Sequence, residues 1–594
     1  MIDIGLDFGS TYSVASFYNR EKKSVESVTL TENDGASVPS VVAVNRIGNG
    51  VSIGRAAKGK GKNATVFRAF KMLLGVEDEK KLAEWNYSAE NSPEKIAGIF
   101  LGEFIAKVLS RVGESEIGSL RIGVPEIWGN ELLERTVDGQ TLSAFSSNVD
   151  SKVKLLNICR SLPLLQGVDV KTVSEPVAAS SYYAYRSMMA DAKPFRGHIL
   201  LIDYGGGTLD LTLTEVSARD THGGEAAMEI RAPFKTGAGE NYEPGRIGKA
   251  GLVYMESLTR RAIAEAEAAE EGDIPNDADF QTAVNAVENL LLSQKAEIDN
   301  TFASVGVNPQ DLDEESMMAM DSEPNVGEFW YRGQQITLSY LQLLQVYEEV
   351  IAPVLGQTLK EYAAYREEKR IDDSESNAEH FKIVLVGGFG NFYLVKHQIN
   401  EFFDFRANDR RREYIFSEEA DGELAVSRGT ALLAAGVVEL RQTPPCSIGV
   451  AVKIGSKYLK SFAMLYNADE INGEPFRYDT PYLQRDMTPA HRPQLITSHG
   501  GIKEFLICFK EDLRATQVLT PTKELGDRIR ELSRSTEGFE ALFSVDDQGI
   551  FTLYLQNIDD QDQEVGEMRS IRLDRIERMF DTQALRRAFP DESI

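Results

Sequence analysis

Two aspartates, each near the end of an apolar run and each followed by small residues, carry the strongest chemical signal in the chain. The first lies in IDIGLDFGSTYS, where Asp7-Phe8-Gly9-Ser10-Thr11-Tyr12 separates one apolar run from the next. The second lies in ILLIDYGGGTLDLTL, where Asp203-Tyr204-Gly205-Gly206-Gly207-Thr208 does the same. Glycines let a backbone come close to an anion, and successive N–H groups form a nest for it. The hydroxyls of Ser10, Thr11 and Thr208 add donors. A carboxylate cannot face a phosphate bare, so Asp7 and Asp203 imply Mg²⁺, which is usually held through water. Either loop alone could be a plain hairpin. With a third apolar strand that runs into Gly387 and Gly388 in FKIVLVGGFG, the set is far more specific.

These loops need strands to aim them. Residues 2–8 read as a buried strand with YSVASFY as its partner, and 199–216 repeat the scheme of strand, glycine-rich turn and strand. FYLVKHQINEFF, after the third strand, has helical spacing, and further helices are expected at 94–112, 249–271, 280–299 and 337–365. DLDEESMMAMDSEPN (311–325) and REEKRIDDSESN (366–377) read as surface loops. From RQTPP (441–445) onward the pattern turns β-rich, with SIGVAVKI, YLKSFAMLY, EFLICFK, FEALFSV and GIFTLYLQ. VDDQGIF spells a hairpin turn, and MRSIRLDRIERMFDTQALRRAF (568–589) has helical periodicity.

Composition sets outer limits. A chain of 594 residues exceeds one hydrophobic core, so two or more domains are expected. Its 64 basic residues face 92 acidic ones, a net charge of -28 that repels phosphate backbones and anionic lipid. Neither nucleic acid nor a membrane surface is therefore expected as a partner. Cys159, Cys446 and Cys508 have no CxxC spacing and the six histidines are scattered, which speaks against a zinc site. The opening MIDIGLDFG has no leader pattern and no apolar run reaches bilayer length, so a cytoplasmic location is expected.

DFGSTYS (7–13), IDYGGGTLDLTLTEV (202–216) and IVLVGGFGNFYLVKHQINEFF (383–403) resemble three segments of the seventy-kilodalton heat-shock chaperones, members of the actin-like ATPase superfamily. They are that family's phosphate-1, phosphate-2 and adenosine segments. SVPSVVAV (37–44), SIGRAAK (52–58), FRAFKMLLG (67–75), RIGVPEIW (121–128), VSEPVAAS (173–180), ITLSYLQ (336–342) and ELAVSRGTA (423–431) match in the same order. The resemblance covers residues 1–440 and implies an α/β ATPase domain with two lobes around a cleft for ATP or ADP with Mg²⁺. It implies that Lys71 orients the attacking water and steadies developing charge. Glu175 would stand near that water, and Pro125 would relay the nucleotide state. Asp7 and Asp203 would hold hydrated Mg²⁺, with Thr208 and Asp210 beside the γ-phosphate and the water. Gly9, Ser10, Thr11, Tyr12, Gly205, Gly206 and Gly207 would line the phosphates, and Lys295, Gly387, Gly388 and Phe389 the adenosine. Phosphoryl transfer needs mainly positioning and charge neutralisation, so this set suffices.

The adenosine side departs from the family. Phe389 and Asn391 replace a small polar residue and an arginine, and Leu292, Ala296 and Asp299 replace a glutamate, an arginine and a serine. Behind the ATPase domain, SIGVAVKIG (447–455) and FEALFSVDDQGIFTLYLQ (539–556) resemble the first and last strands of the family's substrate-binding β-domain. The resemblance thus implies a linker at 441–446, a β-sandwich-like domain at 447–558 that grips extended apolar peptides, and a short helical tail at 559–594. The linker is polar where the family's is apolar. The tail is too short for the family's helical lid, so peptide exchange should be fast.

Two other motifs are decoys. GRAAKGKG (54–61) has Walker-A spacing, but Gly61 stands where Ser or Thr must reach Mg²⁺. GVSIG (50–54) spells a nucleophile elbow around Ser52 without an Asp–His partner. The expected function is an ATP-driven chaperone for unfolded or extended protein clients, with a J-domain co-chaperone and a nucleotide exchange factor as further partners. An actin-class scaffold or filament protein, a small-molecule kinase on the same fold and a non-catalytic nucleotide sensor stay open beside it.

Overall fold

The computed structural model describes the chain apart from residues 31–34, 47–49, 61–62, 75, 77–78, 126–131, 138–139, 146–150, 192–194, 221–225, 238–250, 306–313, 324, 406–408, 413–418, 441–446, 455–456, 464–469, 472–473, 476–503, 513–514, 520–537, 546–549, 559–563 and 576–594. The chain falls into two compact units. Met1–Gly129 and Asp150–Arg441 make the first, and Asn130–Val149 and Gln442–Ile594 make the second.

The first unit contains two α/β halves. The N-terminal half is built on β1 (Ile2–Phe8), β2 (Tyr12–Asn19), β3 (Ser24–Ser27), β4 (Ile117–Val124) and β5 (Asp169–Ser174), in the order β5-β4-β1-β2-β3. Strand β1 pairs antiparallel with β2 and parallel with β4. Helix α1 (Pro93–Val112) starts where the Ser92 hydroxyl accepts the Lys95 N–H and stops at left-handed Gly113. It buries Ile96, Phe100, Phe104 and Val108, spaced three or four apart on one face. Phe8 and Phe70 pack with Phe100 there, at centroid distances of 6.2 and 5.3 Å.

The other half repeats the hairpin plan on β6 (Gly197–Tyr204), β7 (Leu209–Asp220), β8 (Ala226–Gly237), β9 (Phe381–Val386) and β10 (Val438–Leu440). The order is β9-β6-β7-β8-β10. Here β6 pairs antiparallel with β7 and parallel with β9, as β1 does with β2 and β4. The echo read in the sequence is therefore an echo in topology. Between the sheets lie α2 (Glu175–Asp191), packed on β6 and β7, and α7 (Glu419–Ala434), packed on β1 and β2. They cross so closely that a Cβ added to Gly429 would lie 1.7 Å from the Ala178 carbonyl oxygen. Gly5 allows the same approach of α7 to β1, where a Cβ would lie 2.1 Å from the Ala431 nitrogen.

Helices α3 (Gly251–Glu267), α4 (Ala278–Ser293), α5 (Lys295–Val305) and α6 (Tyr393–Phe402) belong to the second half. The segment expected as one helix at 280–299 is thus two, broken at Gln294. The segment expected at 337–365 is helical over Tyr340–Lys369, with a π turn at Tyr347–Ile351 just before Pro353. Two expected loops prove to be partly helical. Glu314–Ser322 forms a helix in which Met320 is a core residue. The 366–377 segment continues the preceding helix to Lys369 and folds back, with Arg366 bonding Asp373 at 2.9 Å. The two decoy motifs are ordinary structure, a strand at Val51–Ile53 and a helical turn at Arg55–Lys58.

In the second unit, Leu132–Val137 and Gln140–Phe145 form a hairpin that the sequence did not announce. Lys457–Ala463, Ser447–Ile454, Glu504–Asp512 and Ala515–Leu519 lie in that order in an antiparallel sheet, and Gly538–Val545, Ile550–Ile558 and Glu564–Arg575 form another. The helical tail expected from residue 559 is corrected here, since Glu564–Arg575 is a strand antiparallel to Ile550–Ile558. Ile571 and Leu573 alternate with the polar residues Ser570, Arg572 and Asp574, a period of two that serves an edge strand better than a helix turn. The linker at 441–446, the turn at 546–549 and residues 576–594 lie outside the described residues. Among the described residues no helix is long and apolar enough to cross a membrane.

Candidate functional site

The two glycine-rich hairpin turns meet at their tips. A Cβ on Gly206 would lie 2.1 Å from Thr11 Oγ1, and one on Gly207 would lie 2.4 Å from Ser10 Oγ and 2.7 Å from Met72 Sδ. Only glycine permits this approach. The second turn is closed by the Gly205 N–H donating to the Thr208 carbonyl at 3.0 Å. The first is tied down by Ser40, which the sequence reading did not single out. Its hydroxyl donates to the Gly9 carbonyl at 2.7 Å and bonds the Ser13 hydroxyl at 2.9 Å, and its N–H donates to Thr11 at 2.8 Å. The signal available was the SVPS segment, whose polar serine is buried between apolar neighbours.

Below the turns, the strands present carboxylates. Asp7 lies opposite Val14 on β2 and beside Gly123 on β4. Asp203 lies directly opposite Asp210 across the second hairpin, so these two acids share one face of the sheet. Glu175 opens α2, and its Cγ would be 3.3 Å from a Cβ on Gly123, which is how it comes close to Asp7. Lys71 comes from the helical turn Phe70–Leu73, launched by left-handed Ala69 with φ of 53°. Its Nζ donates to Glu175 Oε1 at 2.6 Å, and both side chains are buried. The sequence thus placed Lys71, Glu175, Asp7, Asp203 and Asp210 separately, and the fold brings them together.

The electrostatics follow from crowding. The Asp7 carboxyl is pushed up to about 8 by burial and by Glu175, with Lys71 pulling the other way. Asp203 is raised well above the ordinary range by burial, then by Glu175, Asp210 and Asp7, again opposed by Lys71. Four acids around one ammonium leave an excess of negative charge that a divalent cation would relieve. Among the described residues no group of three or more acids, histidines or cysteines is close enough to hold a metal by itself. This donor set fits a hydrated Mg²⁺ held through water by Asp7 and Asp203 rather than a dedicated cage.

The third strand delivers Gly387 beside the same acids. With φ of 84°, its Cβ position is 2.4 Å from the Tyr204 carbonyl oxygen and 2.7 Å from Asp203 Oδ1. Gly388 faces open space. Phe389 does not, for its ring is in the core, edge-on to Tyr204 at 5.1 Å and stacked on Phe392 at 5.6 Å. An aromatic ring gains more from this apolar packing than from a polar cleft. Lys295 is engaged by Asp299, one turn along α5, at 2.9 Å. Pro125 is buried at the end of β4. Tyr12 carries the Lys58 ammonium over its ring at 5.3 Å.

No family model matches the chain. Among curated proteins, it is 23% identical over 405 residues to the "Chaperone protein DnaK" of Nitrosopumilus maritimus, covering 67% of this chain and 52% of that protein. It is 27% identical over 229 residues to the "Heat shock cognate HSP70 protein" of Trypanosoma brucei brucei, covering 36% and 31%. It is 26% identical over 264 residues to the "Heat shock cognate 70 kDa protein 3" of Dictyostelium discoideum, covering 38% and 37%. The matches thus span about half of the archaeal relative and roughly a third of the other two. The curated relatives of this chain are DnaK and heat-shock 70 chaperones, and it stands beside them as a divergent relative.

Proposed function

We propose that the first unit is an actin-like ATPase domain that binds Mg·ATP between the two turns and hydrolyses it slowly, and that the second takes extended protein clients. The observation that carries this reading is the buried Lys71–Glu175 pair beneath two touching glycine-rich turns, ringed by Asp7, Asp203 and Asp210. Names of the relatives point the same way.

The residues divide the work by type. Backbone N–H groups of Gly205, Gly206 and Gly207 and the hydroxyls of Ser10, Thr11 and Thr208 donate to phosphate oxygens. Mg²⁺, when bound by Asp7 and Asp203, supplies charge neutralisation to the phosphates. Lys71 presents a positive charge to the transferring group, and Glu175 holds that ammonium in place. Asp210 and Glu175 are the acceptors available to orient a water and take its proton. On the adenosine side, Gly388 offers backbone that faces open space. We place the protein in the cytoplasm, with a J-domain protein and an exchange factor as partners by analogy with the relatives.

Single-turnover hydrolysis of Mg·ATP by wild type and Lys71→Ala, with and without an unfolded client, tests the reading. Slow hydrolysis that collapses in the variant and responds to client is expected. Binding without turnover would instead favour a nucleotide sensor, the reading to which the Lys295–Asp299 pair lends weight. Neither binding nor turnover would overturn the ATPase assignment.

A further inference from the structure

Glycine turns, Mg²⁺ and Lys71 treat every nucleoside triphosphate alike, so the base must be chosen elsewhere. The way to that choice runs on from the third strand. Gly387 stands against Asp203, and Gly388, next in the chain, faces open space. One short turn, Phe389–Asn391, separates this opening from Tyr393, the first residue of α6. The Tyr393 ring stacks on Phe302 of α5 at 6.0 Å. Lys295, Asp299 and Phe302 follow one another along α5 at helical spacing, so all three lie on the face turned to α6. Burial and then the charge of Asp299 raise the Tyr393 phenol. A carboxylate and an ammonium therefore stand beyond the opening that starts at Gly388.

Asp299 is only half met. Its Oδ2 accepts from the Lys295 ammonium at 2.9 Å, while its Oδ1 is buried and has no hydrogen-bond partner. A carboxylate held by an ammonium only accepts, so the missing partner is a donor, and a buried oxygen left without one is costly. The bases differ in the donors that they bring. Adenine sets the N6 amino group beside N1, an acceptor whose lone pair would face the second carboxylate oxygen. Cytosine has the same fault, with its N4 amino group beside N3. Uracil sets its single N–H between two carbonyls. Guanine alone sets two donors side by side, N1–H and the N2 amino group, with the acceptor O6 next to them. A carboxylate meets the two donors and a neighbouring ammonium meets O6. Asp299 with Lys295 is that combination.

We propose that Asp299 selects the base and that it selects guanine, which makes Mg·GTP the preferred nucleotide of the first unit. The inference rests on the nucleotide reading above and narrows it, for ATP remains a substrate of the same phosphate groups at lower affinity. Guanine N1–H and the N2 amino group donate to the Asp299 carboxylate, and O6 accepts from Lys295. Adenine gains one of these contacts and meets repulsion at another. The transfer step itself is untouched, because the base lies at the far end of the nucleotide from the transferring phosphoryl group.

Calorimetric titration of the full chain with the Mg²⁺ complexes of GDP, IDP, ADP and pyrophosphate decides it. GDP is expected to bind about 10-fold to 100-fold more tightly than ADP, the discrimination of one good bidentate contact. IDP keeps N1–H and O6 but lacks the N2 amino group, so it should fall between them. In Asp299→Asn the side-chain amide offers one acceptor and one donor, which suits the adenine N6 amino group and N1, and the order of GDP and ADP should reverse. Both ligands are compared on one protein sample, so a folding defect common to them cancels. ADP as tight as GDP, or a GDP preference that survives Asp299→Asn, would overturn the proposal and leave the nucleotide reading standing. Pyrophosphate as tight as GDP would overturn it too, since the base then adds nothing, with the phosphate end intact. If none of the four binds, the nucleotide reading falls and takes the proposal with it.

Discussion

The Lys71 ammonium meets the Glu175 carboxylate at 2.6 Å with only 3% and 9% of the two side chains exposed, and this one contact joins the N-terminal half to the first residue of α2. A pair so buried is held by its surroundings. Removing one partner leaves the other charge stranded. Lys71→Met is expected to cost roughly 3–5 kcal/mol of stability, while Lys71→Met with Glu175→Leu costs less than the single change. Denaturant unfolding of the three proteins checks this. A double variant weaker than Lys71→Met would show that the pair has no such role. Turnover should fall about 10²-fold to 10³-fold in either variant, as for loss of one preorganised transition-state donor.

Stability of the metal-free chain should depend on pH through Asp7. Its folded value of about 8 stands above its ordinary 3.8, so protonation favours the folded form. That contribution is complete below the ordinary value and lost as pH rises through 8. Melting temperature without Mg²⁺ should therefore decline from about pH 5 to 9, and Mg²⁺ should reverse the decline at high pH by neutralising the carboxylate. Asp7→Asn should weaken both effects, with Asp203 carrying the remainder. A slope unchanged in Asp7→Asn would place the crowding elsewhere.

Gly387 and Gly388 offer a matched pair of probes. The first has a positive φ and carbonyl and carboxylate oxygens within 2.7 Å of any added Cβ, and the second has open space. Gly387→Ala should cost roughly 1–3 kcal/mol and weaken Mg²⁺-dependent binding. Gly388→Ala should fall within about 0.5 kcal/mol of wild type. Chemical denaturation of both side by side decides it.

Lys295 is tied to Asp299 at 2.9 Å, and each side chain is 27% exposed. A half-exposed pair on adjacent helix turns contributes little stability. Asp299→Ser should thus leave the melting temperature nearly unchanged while removing one partner that competes with a ligand for the lysine. Calorimetric titration with ADP and Mg²⁺ should show affinity rising several-fold. Unchanged affinity would mean that Lys295 takes no part on that side.

Sequence pattern carried the strands and turns of the first unit well. Two hairpins with an acid before each glycine turn, and a third strand ending in two glycines, have local signatures that survive without knowledge of the fold. What escaped was set by distance. Ser40 reaches Gly9 across 31 residues, and the crowding of Asp7, Glu175 and Asp203 depends on which strand neighbours which. The packing of the Phe389 ring escaped for a related reason, since it answers to the apolar shell of Tyr204, Tyr254 and Phe392. The C-terminal strand Glu564–Arg575 was misjudged because Met568 and Ile571 suit a helical repeat as readily as the ladder with Ile550–Ile558. Its pairing partner, not its own pattern, chose between them.

The crossing of α2 and α7 at Gly429 and Ala178 works like the pin of a pair of pliers. With backbone against backbone and no side chain between, the arms can swivel about one spot but have little freedom to slide. A twist too slight to disturb the pin is magnified at the jaws, in proportion to their distance from it. Any bulk added at residue 429 would act as a wedge, holding the jaws ajar from the far end without touching whatever they grip.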